Sequence, residues 1–357
     1  MGDVRTGIVL LNLGGPTTPD DVQGFLERLF ADPEIIPLPF QSLLGKLIAR
    51  LRTPRVRRNY AAIGGSPLLH WTRLQGEGMI RWLDALSPQT APHRFYIAFR
   101  YAPPFSADAL RAMHADGVQQ AIVLTLYPQY SCTTTGSSLN ELWRALNALG
   151  LADAFRWSVI DRWYDHPAFI EAMAETVREG LMQFAPEHRD EVVLLFSAHS
   201  LPMRVVRRGD SYPGEIEASV RAVMRALSVP NPHVLAYQSA VGPVKWLEPK
   251  TEDVIRALGA QGKRRVLVVP IAFVSDHIET LFEIDREYAE LAHAVGISEF
   301  RRAPALNDRP RFVRALAEIV ADFVQQRRTA TPLYARRCSG CTNPLCRTIP
   351  NPAPVLA

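Results

Sequence analysis

Seven short, apolar, β-branched runs alternate with amphipathic segments along this chain, and no other feature restricts its fold as tightly. The runs cover residues 7–11, 94–98, 121–126, 157–160, 192–196, 234–237 and 266–271. Segments of helical period lie between or after them, at 20–30, 106–116, 167–184, 213–227 and 310–327. Short apolar runs bounded by turn residues belong to strands buried on both faces. Strands of that kind alternating with helices build parallel sheets covered on each side. The order also repeats. In the first half one strand ends in Leu11-Asn-Leu-Gly-Gly-Pro and a later one in Tyr127-Pro-Gln-Tyr-Ser-Cys. In the second half one ends in Ser197-Ala-His-Ser-Leu-Pro and a later one in Ala272-Phe-Val-Ser-Asp-His-Ile-Glu. The expected architecture is α/β, two similar parallel-sheet halves with these four strand ends around one cleft. Open parallel sheets bind ligands beyond the carboxyl ends of their strands, so the polar residues there are the site candidates.

Length and charge narrow the function. A chain of 357 residues exceeds the usual size of one core, which favours two domains. A net charge of +4 gives no case for nucleic acid as a partner. The basic residues are unevenly spread, with Lys46, Arg50, Arg52, Arg55, Arg57 and Arg58 in a stretch that holds no acid. No apolar stretch reaches the length of a membrane span. Gly14-Gly15-Pro16 lacks the spacing of a dinucleotide fingerprint, and no Walker A sequence is present. The opening Met1-Gly2-Asp3 fits a loose myristoylation pattern only by chance, because Thr6 leads straight into a buried strand.

Several strand ends carry reactive side chains. His199 follows a strand directly, where an imidazole can serve as a base near neutral pH or simply cap a turn. After 266–271 comes Ser275-Asp-His-Ile-Glu-Thr-Leu-Phe-Glu-Ile-Asp-Arg-Glu. On an α-helix, Glu279, Glu283 and Glu287 stand at i, i+4 and i+8 on one face. Like charges so placed repel by roughly 0.2–0.5 kcal/mol per pair. Such a ladder is either a solvated face or a conduit for protons or a hard cation. Asp276 and His277 lie at its head, and Arg286 is the one interleaved cation. Arg100 and Tyr101 close another strand, and with Trp246 they can supply an aromatic wall and a carboxylate-binding arginine; core packing is the plainer reading of the tryptophan. Residues 35–54 are apolar with a basic margin, which suits either an interfacial helix or a helix with its apolar face in the core.

The chain has four cysteines, Cys132 and a terminal group Cys338-Ser-Gly-Cys341-Thr-Asn-Pro-Leu-Cys346. Clustering of this kind points to a metal site. The count suits zinc and an iron–sulfur cluster equally.

The chain resembles the ferrochelatases along nearly its whole length. The resemblance is carried by Leu11-Asn-Leu-Gly-Gly-Pro, Arg52-Thr-Pro, Ile63-Gly-Gly-Ser-Pro, Gln75-Gly-Glu-Gly-Met, Phe99-Arg-Tyr and Tyr127-Pro-Gln-Tyr-Ser-Cys-Thr-Thr-Thr-Gly-Ser-Ser. It continues through Ser197-Ala-His-Ser-Leu-Pro, Gln238-Ser-Ala-Val-Gly-Pro and Ser275-Asp-His-Ile-Glu-Thr-Leu. It implies two Rossmann-like domains of the class II chelatase fold, 1–165 with a lip at 35–54 and 166–328. A cysteine-bearing segment, 329–357, would return to the first domain. It implies insertion of ferrous iron into protoporphyrin IX, with His199 as base, Glu279 as its partner across the macrocycle and His277 in support. Asp276, Glu283 and Glu287 would form the proton or metal path. Leu13, Arg52, Ser66, Arg100, Tyr101 and Trp246 would bind the porphyrin. Apolar Leu13 favours protoporphyrin over coproporphyrin III, and a porphyrin carrier without chemistry is the rival from another class. Cys132, Cys338, Cys341 and Cys346 fit the ligand pattern of members that carry a [2Fe-2S] cluster. A homodimer resting on a membrane surface is also implied. With no leader read at the start, the expected location is a bacterial cytoplasm, at the inner membrane.

Overall fold

The computed structural model describes residues 6–334 and 338–341. The chain divides into two compact units, residues 1–163 with 308–357, and 164–307.

The first unit is built on four parallel strands, β1 (Thr6–Asn12), β2 (His93–Phe99), β3 (Gln120–Thr125) and β4 (Arg156–Ile160), in the order β2-β1-β3-β4. Every residue of β1 is buried, as its unbroken Gly-Ile-Val-Leu-Leu run requires of a central strand. Ile8 pairs with Phe95 on one side and Ile122 on the other. Helices α1 (Val22–Ala31), α2 (Gln41–Ala62), α3 (Leu68–Leu86), α4 (Ser106–Ala115) and α5 (Ser137–Ala148) accompany the sheet. α2 crosses α1 closely at Gly45, where a Cβ would stand 2.5 Å from the Phe30 carbonyl oxygen.

The second unit repeats the plan. α6 (Pro167–Leu181) begins at a proline, whose fixed φ suits a first helical turn. It leads into β5 (Val193–His199), α7 (Met203–Arg207), α8 (Tyr212–Leu227), β6 (His233–Gln238), α9 (Thr251–Ala260), β7 (Arg265–Pro270), α10 (Ala289–Ala294) and β8 (Glu299–Arg302). The strand order β6-β5-β7-β8 matches that of the first sheet, position for position. The seven expected strands are all present. β8 is additional; within Glu-Phe-Arg-Arg only Phe300 is buried, so this edge strand carries almost no apolar signal.

Two differences from expectation bear on the site. The acidic ladder lies on a π-helix, Glu279–Tyr288, rather than an α-helix. The wider turn keeps residues four apart near one face, and π-helical turns are rare and frequently found at functional sites. The boundary expected at 328 falls instead at 308, because α11 (Pro310–Gln325) packs on α3, with Val313 against Gly78. Beyond α11 the chain runs along β4. The Val159 N–H donates to the Thr329 carbonyl at 2.9 Å and the Thr331 N–H returns a bond to Val159 at 3.1 Å. The Thr331 hydroxyl bonds Asp161.

Candidate active site

In both sheets the strand order reverses between the first strand of the unit and its neighbours, the switch point beyond which open α/β sheets take ligands. In the second unit that point is the end of β5, where His199 stands beside Gln238 of β6. His199 Nδ1 lies 2.7 Å from the Ser200 carbonyl oxygen. A carbonyl only accepts, so Nδ1 carries the hydrogen and Nε2 is left basic. The Tyr212 hydroxyl donates to the His199 carbonyl at 3.0 Å and pins the strand end.

The turn after β7 delivers Asp276, His277 and Glu279. His277 is almost wholly buried, with Phe273 edge-on to its ring at 4.3 Å between centroids. Its Nδ1 lies 3.1 Å from Glu279 Oε2 and accepts from the Glu279 N–H at 3.2 Å. Its Nε2 is buried without a partner among the described residues. Burial pushes the His277 imidazole below its ordinary value; Glu279 and Asp276 oppose that, and His199 adds to it. His199 and His277 therefore sense each other across the end of the sheet.

Asp276 is already engaged. Its carboxylate accepts from Thr280 at 3.0 Å and Asn307 at 2.9 Å, and pairs with Arg302 at 3.0 Å. Arg302 also grips Asp285 with two bonds, at 2.7 and 2.8 Å. Arg302, at the end of the unexpected β8, is the cation that balances the head of the ladder. Arg286 instead lies over the Phe282 ring. Along the ladder exposure rises from half-buried Glu279 and Glu283 to exposed Glu287. Trp246 is half-buried, and its indole N–H donates to the Val241 carbonyl at 2.9 Å.

In the first unit Arg100 and Tyr101 leave β2 together. Arg100 pairs with Asp32 at 2.7 Å and donates to Ser137 at 3.0 Å. Tyr101 has no exposed surface, and its hydroxyl donates to the same Asp32 oxygen. Burial and Asp32 raise that phenol far above its ordinary value. The expected wall role is therefore not open to Tyr101; it is core that positions Asp32. Leu13 is half-buried, and its carbonyl accepts the Tyr101 N–H at 3.0 Å. Ser66 is buried, and a Cβ on Gly15 would meet its hydroxyl at 2.4 Å. The two glycine motifs of this unit thus serve mutual approach. Arg52 is exposed on α2 and lies over the Phe30 ring. Along α2 and its leading turn, Phe40, Leu43, Leu47 and Leu51 form an apolar ridge that is 51–82% exposed. No described helix is long and apolar enough to cross a membrane.

Cys132 begins a π-turn (Cys132–Gly136) after Ser131, whose hydroxyl accepts the Thr133 N–H at 3.2 Å. Cys338 and Cys341 are joined by a turn in which the Cys341 N–H donates to the Cys338 carbonyl at 3.0 Å. All three thiols are partly buried. Cys346 lies outside the described residues. Among the described residues no three potential ligands gather in a metal-holding group.

A family model described as ferrochelatase matches residues 5–323. The mitochondrial ferrochelatase of Xenopus laevis is 51% identical over 96% of this chain and 84% of its own length. Those of Gallus gallus and Homo sapiens are 50% and 49% identical over the same share, covering 86% and 82% of their own lengths. A solved structure of SirB from Bacillus subtilis with Fe3+ aligns with 89% of this chain and 95% of its own, at a TM-score of 0.52 and 12% identity, which establishes a shared fold alone. These relatives overturn the expected bacterial inner-membrane location, since they are named as mitochondrial proteins of eukaryotes.

Proposed function

The chain belongs to the ferrochelatase family and inserts ferrous iron into protoporphyrin, a step of haem synthesis; from that premise we propose that His199 is the base of the reaction. A free-base porphyrin holds two N–H protons where the metal must go. A site that favours a puckered ring exposes the nitrogen lone pairs and approaches the transition state. The observation that carries the reading is the His199 tautomer: with Nδ1 committed to Ser200, Nε2 is free to take a pyrrole proton. Glu279 and His277 form the second half of the site. Their 3.1 Å contact and the unpartnered Nε2 of His277 suit a pair that receives protons or steadies the entering iron. Trp246, Leu13, Arg52 and Ser66 are assigned to the porphyrin, and apolar Leu13 supports protoporphyrin over a more carboxylated ring. Glu287 marks the solvent end of the acidic row. His199→Ala should abolish insertion while porphyrin still binds, followed by loss of free-base fluorescence under anaerobic conditions. Near-normal turnover in that variant overturns the assignment.

A [2Fe-2S] cluster on Cys132, Cys338, Cys341 and Cys346 belongs to the same proposal. Four thiolates are the donor set such a cluster takes, and one backbone turn joins the partly buried Cys338 and Cys341. Iron insertion moves no net electrons, so the cluster supplies no redox step; held by these residues it ties position 132 to the tail. Iron and acid-labile sulfide should copurify with the protein and be lost in Cys132→Ser. Membrane docking through the α2 ridge and its flanking arginines is supported by the exposed side chains. Homodimerisation rests on the resemblance alone.

A further inference from the structure

The middle of the acidic row is tied down. Glu283 Oε1 accepts from the Ser239 N–H at 2.8 Å and the Tyr288 hydroxyl at 2.9 Å. Glu283 Oε2 accepts from Gln238 Nε2 at 2.8 Å and the Ser239 hydroxyl at 2.5 Å. A carboxylate oxygen offers two lone pairs, so all of its acceptor capacity is in use. A relay has to take a proton on one of those lone pairs and release it elsewhere. Here each such event breaks a bond to the end of β6 or to Tyr288.

Three of the four donors come from Gln238 and Ser239, the last residue of β6 and the one after it. Ser239 has φ +66, a left-handed conformation that non-glycine residues seldom adopt. Both its N–H and its hydroxyl are held in that conformation by Glu283. Gln238 extends the grip, since its Oε1 accepts from Ser197 of β5 at 2.7 Å and its Nε2 reaches the Glu279 carbonyl at 3.2 Å. One carboxylate on the π-helix thus joins two strand ends.

The loop beyond Ser239 has little else to hold it. Residues 241–245 are all exposed, Val241 and Val244 by 43% and 45%. The chain returns through Trp246. The far side of the loop is secured by the Met203 N–H to Lys245 at 2.8 Å and the Leu247 N–H to Leu201 at 2.9 Å. The near side is secured by Glu283. The indole bond from Trp246 to Val241 closes the loop on itself.

We propose that Glu283 is a positioning residue, which with Ser239 and Tyr288 latches loop 240–246, and hence Trp246, to the π-helix, and does not carry protons. The proposal rests on the reading of Trp246 as a porphyrin-binding residue. Ser239→Ala and Tyr288→Phe test it, because each removes one latch donor and neither removes a carboxylate. Hydrogen exchange of the 240–247 amides, read by mass spectrometry on the intact protein, should quicken by about five- to tenfold in both. KM for protoporphyrin should rise by roughly the same factor, with kcat within about twofold of wild type, the pattern of a lost ground-state contact. Glu283→Gln should follow them, with the pH profile of kcat unmoved. Unchanged exchange in all three variants overturns the latch. So does a fall in kcat with a displaced pH profile in Glu283→Gln while the other two behave as wild type, which identifies a relay. Trp246→Ala separates the premise: a wild-type KM in that variant removes Trp246 from porphyrin binding, and the exchange measurement still decides the latch.

Discussion

Arg100 and Asp32 form a 2.7 Å ion pair in which the carboxylate is 3% exposed and the guanidinium 13%. Ser137 and Tyr101 donate to the same Asp32 oxygen, so three donors converge on one acceptor. The pair binds residues 32, 100 and 137, which are far apart in sequence, at the carboxyl end of the first sheet. Removing one member of a buried pair leaves an uncompensated charge. Asp32→Ala should therefore destabilise the protein by about 3 kcal/mol in urea unfolding. Arg100→Leu with Asp32→Leu together should recover part of that loss, because neither charge remains buried.

The Gly64-Gly65 pair gives a graded expectation. Both have positive φ, +79 and +93. A Cβ at Gly64 meets nothing within 4 Å, whereas one at Gly65 would stand 2.1 Å from the Thr17 carbonyl oxygen. Gly64→Ala should show only the left-handed penalty, about 1 kcal/mol. Gly65→Ala adds a backbone clash and should lose at least about 3 kcal/mol, or fail to accumulate as folded protein. Urea midpoints of the two variants, with their m-values, check the order.

His93 supplies a pH dependence. Its side chain is fully buried, with Nδ1 2.7 Å from Asp84 and Nε2 2.8 Å from Thr90. Burial lowers its affinity for protons below that of a free imidazole, and Asp84 only partly offsets this. Between the folded value and the unfolded value of about 6.5, the unfolded chain takes a proton that the folded chain refuses. The stability contributed by neutral His93 is complete above about pH 6.5 and is lost as pH falls through the unfolded value towards the folded one. The wild-type urea midpoint should decline below that pH. His93→Gln should be less stable overall with a shallower decline.

The α2 ridge can be tested without touching the catalytic residues. Leu43, Leu47 and Leu51 are 70%, 51% and 72% exposed, so the fold gains little from them. Changing all three to serine should leave the melting temperature within about 2 °C, as surface substitutions usually do. Binding to anionic phospholipid vesicles, measured by co-sedimentation, should fall at least about tenfold, while turnover of detergent-solubilised protoporphyrin persists.

Legibility in the sequence follows how locally each feature is encoded. β1, β3 and β5 are written in consecutive apolar residues, and each stands where the run predicts. β8 escapes because an edge strand needs only Phe300 to be buried. The residues of the site are legible from their strand ends, but their partners are not. Arg302 balances Asp276 from the end of that missed strand, and Glu283 meets Ser239 from 44 positions away. Tyr101 shows the limit of type and position. An aromatic residue at a strand end suits a wall, yet its hydroxyl turns inward to Asp32, a residue no local pattern singles out.

The second unit is one unbroken stretch, while the first receives α11 only after residue 308. Ribosomes deliver the amino end first. The face of α3 around Gly78, which Val313 fills, therefore leaves the exit tunnel with nothing to cover it. At ~5–20 residues per second the missing helix arrives roughly 10–50 seconds later. The unit begun first is thus completed last. During translation the nascent chain carries a bare apolar helix face for a period in which chaperones have time to act.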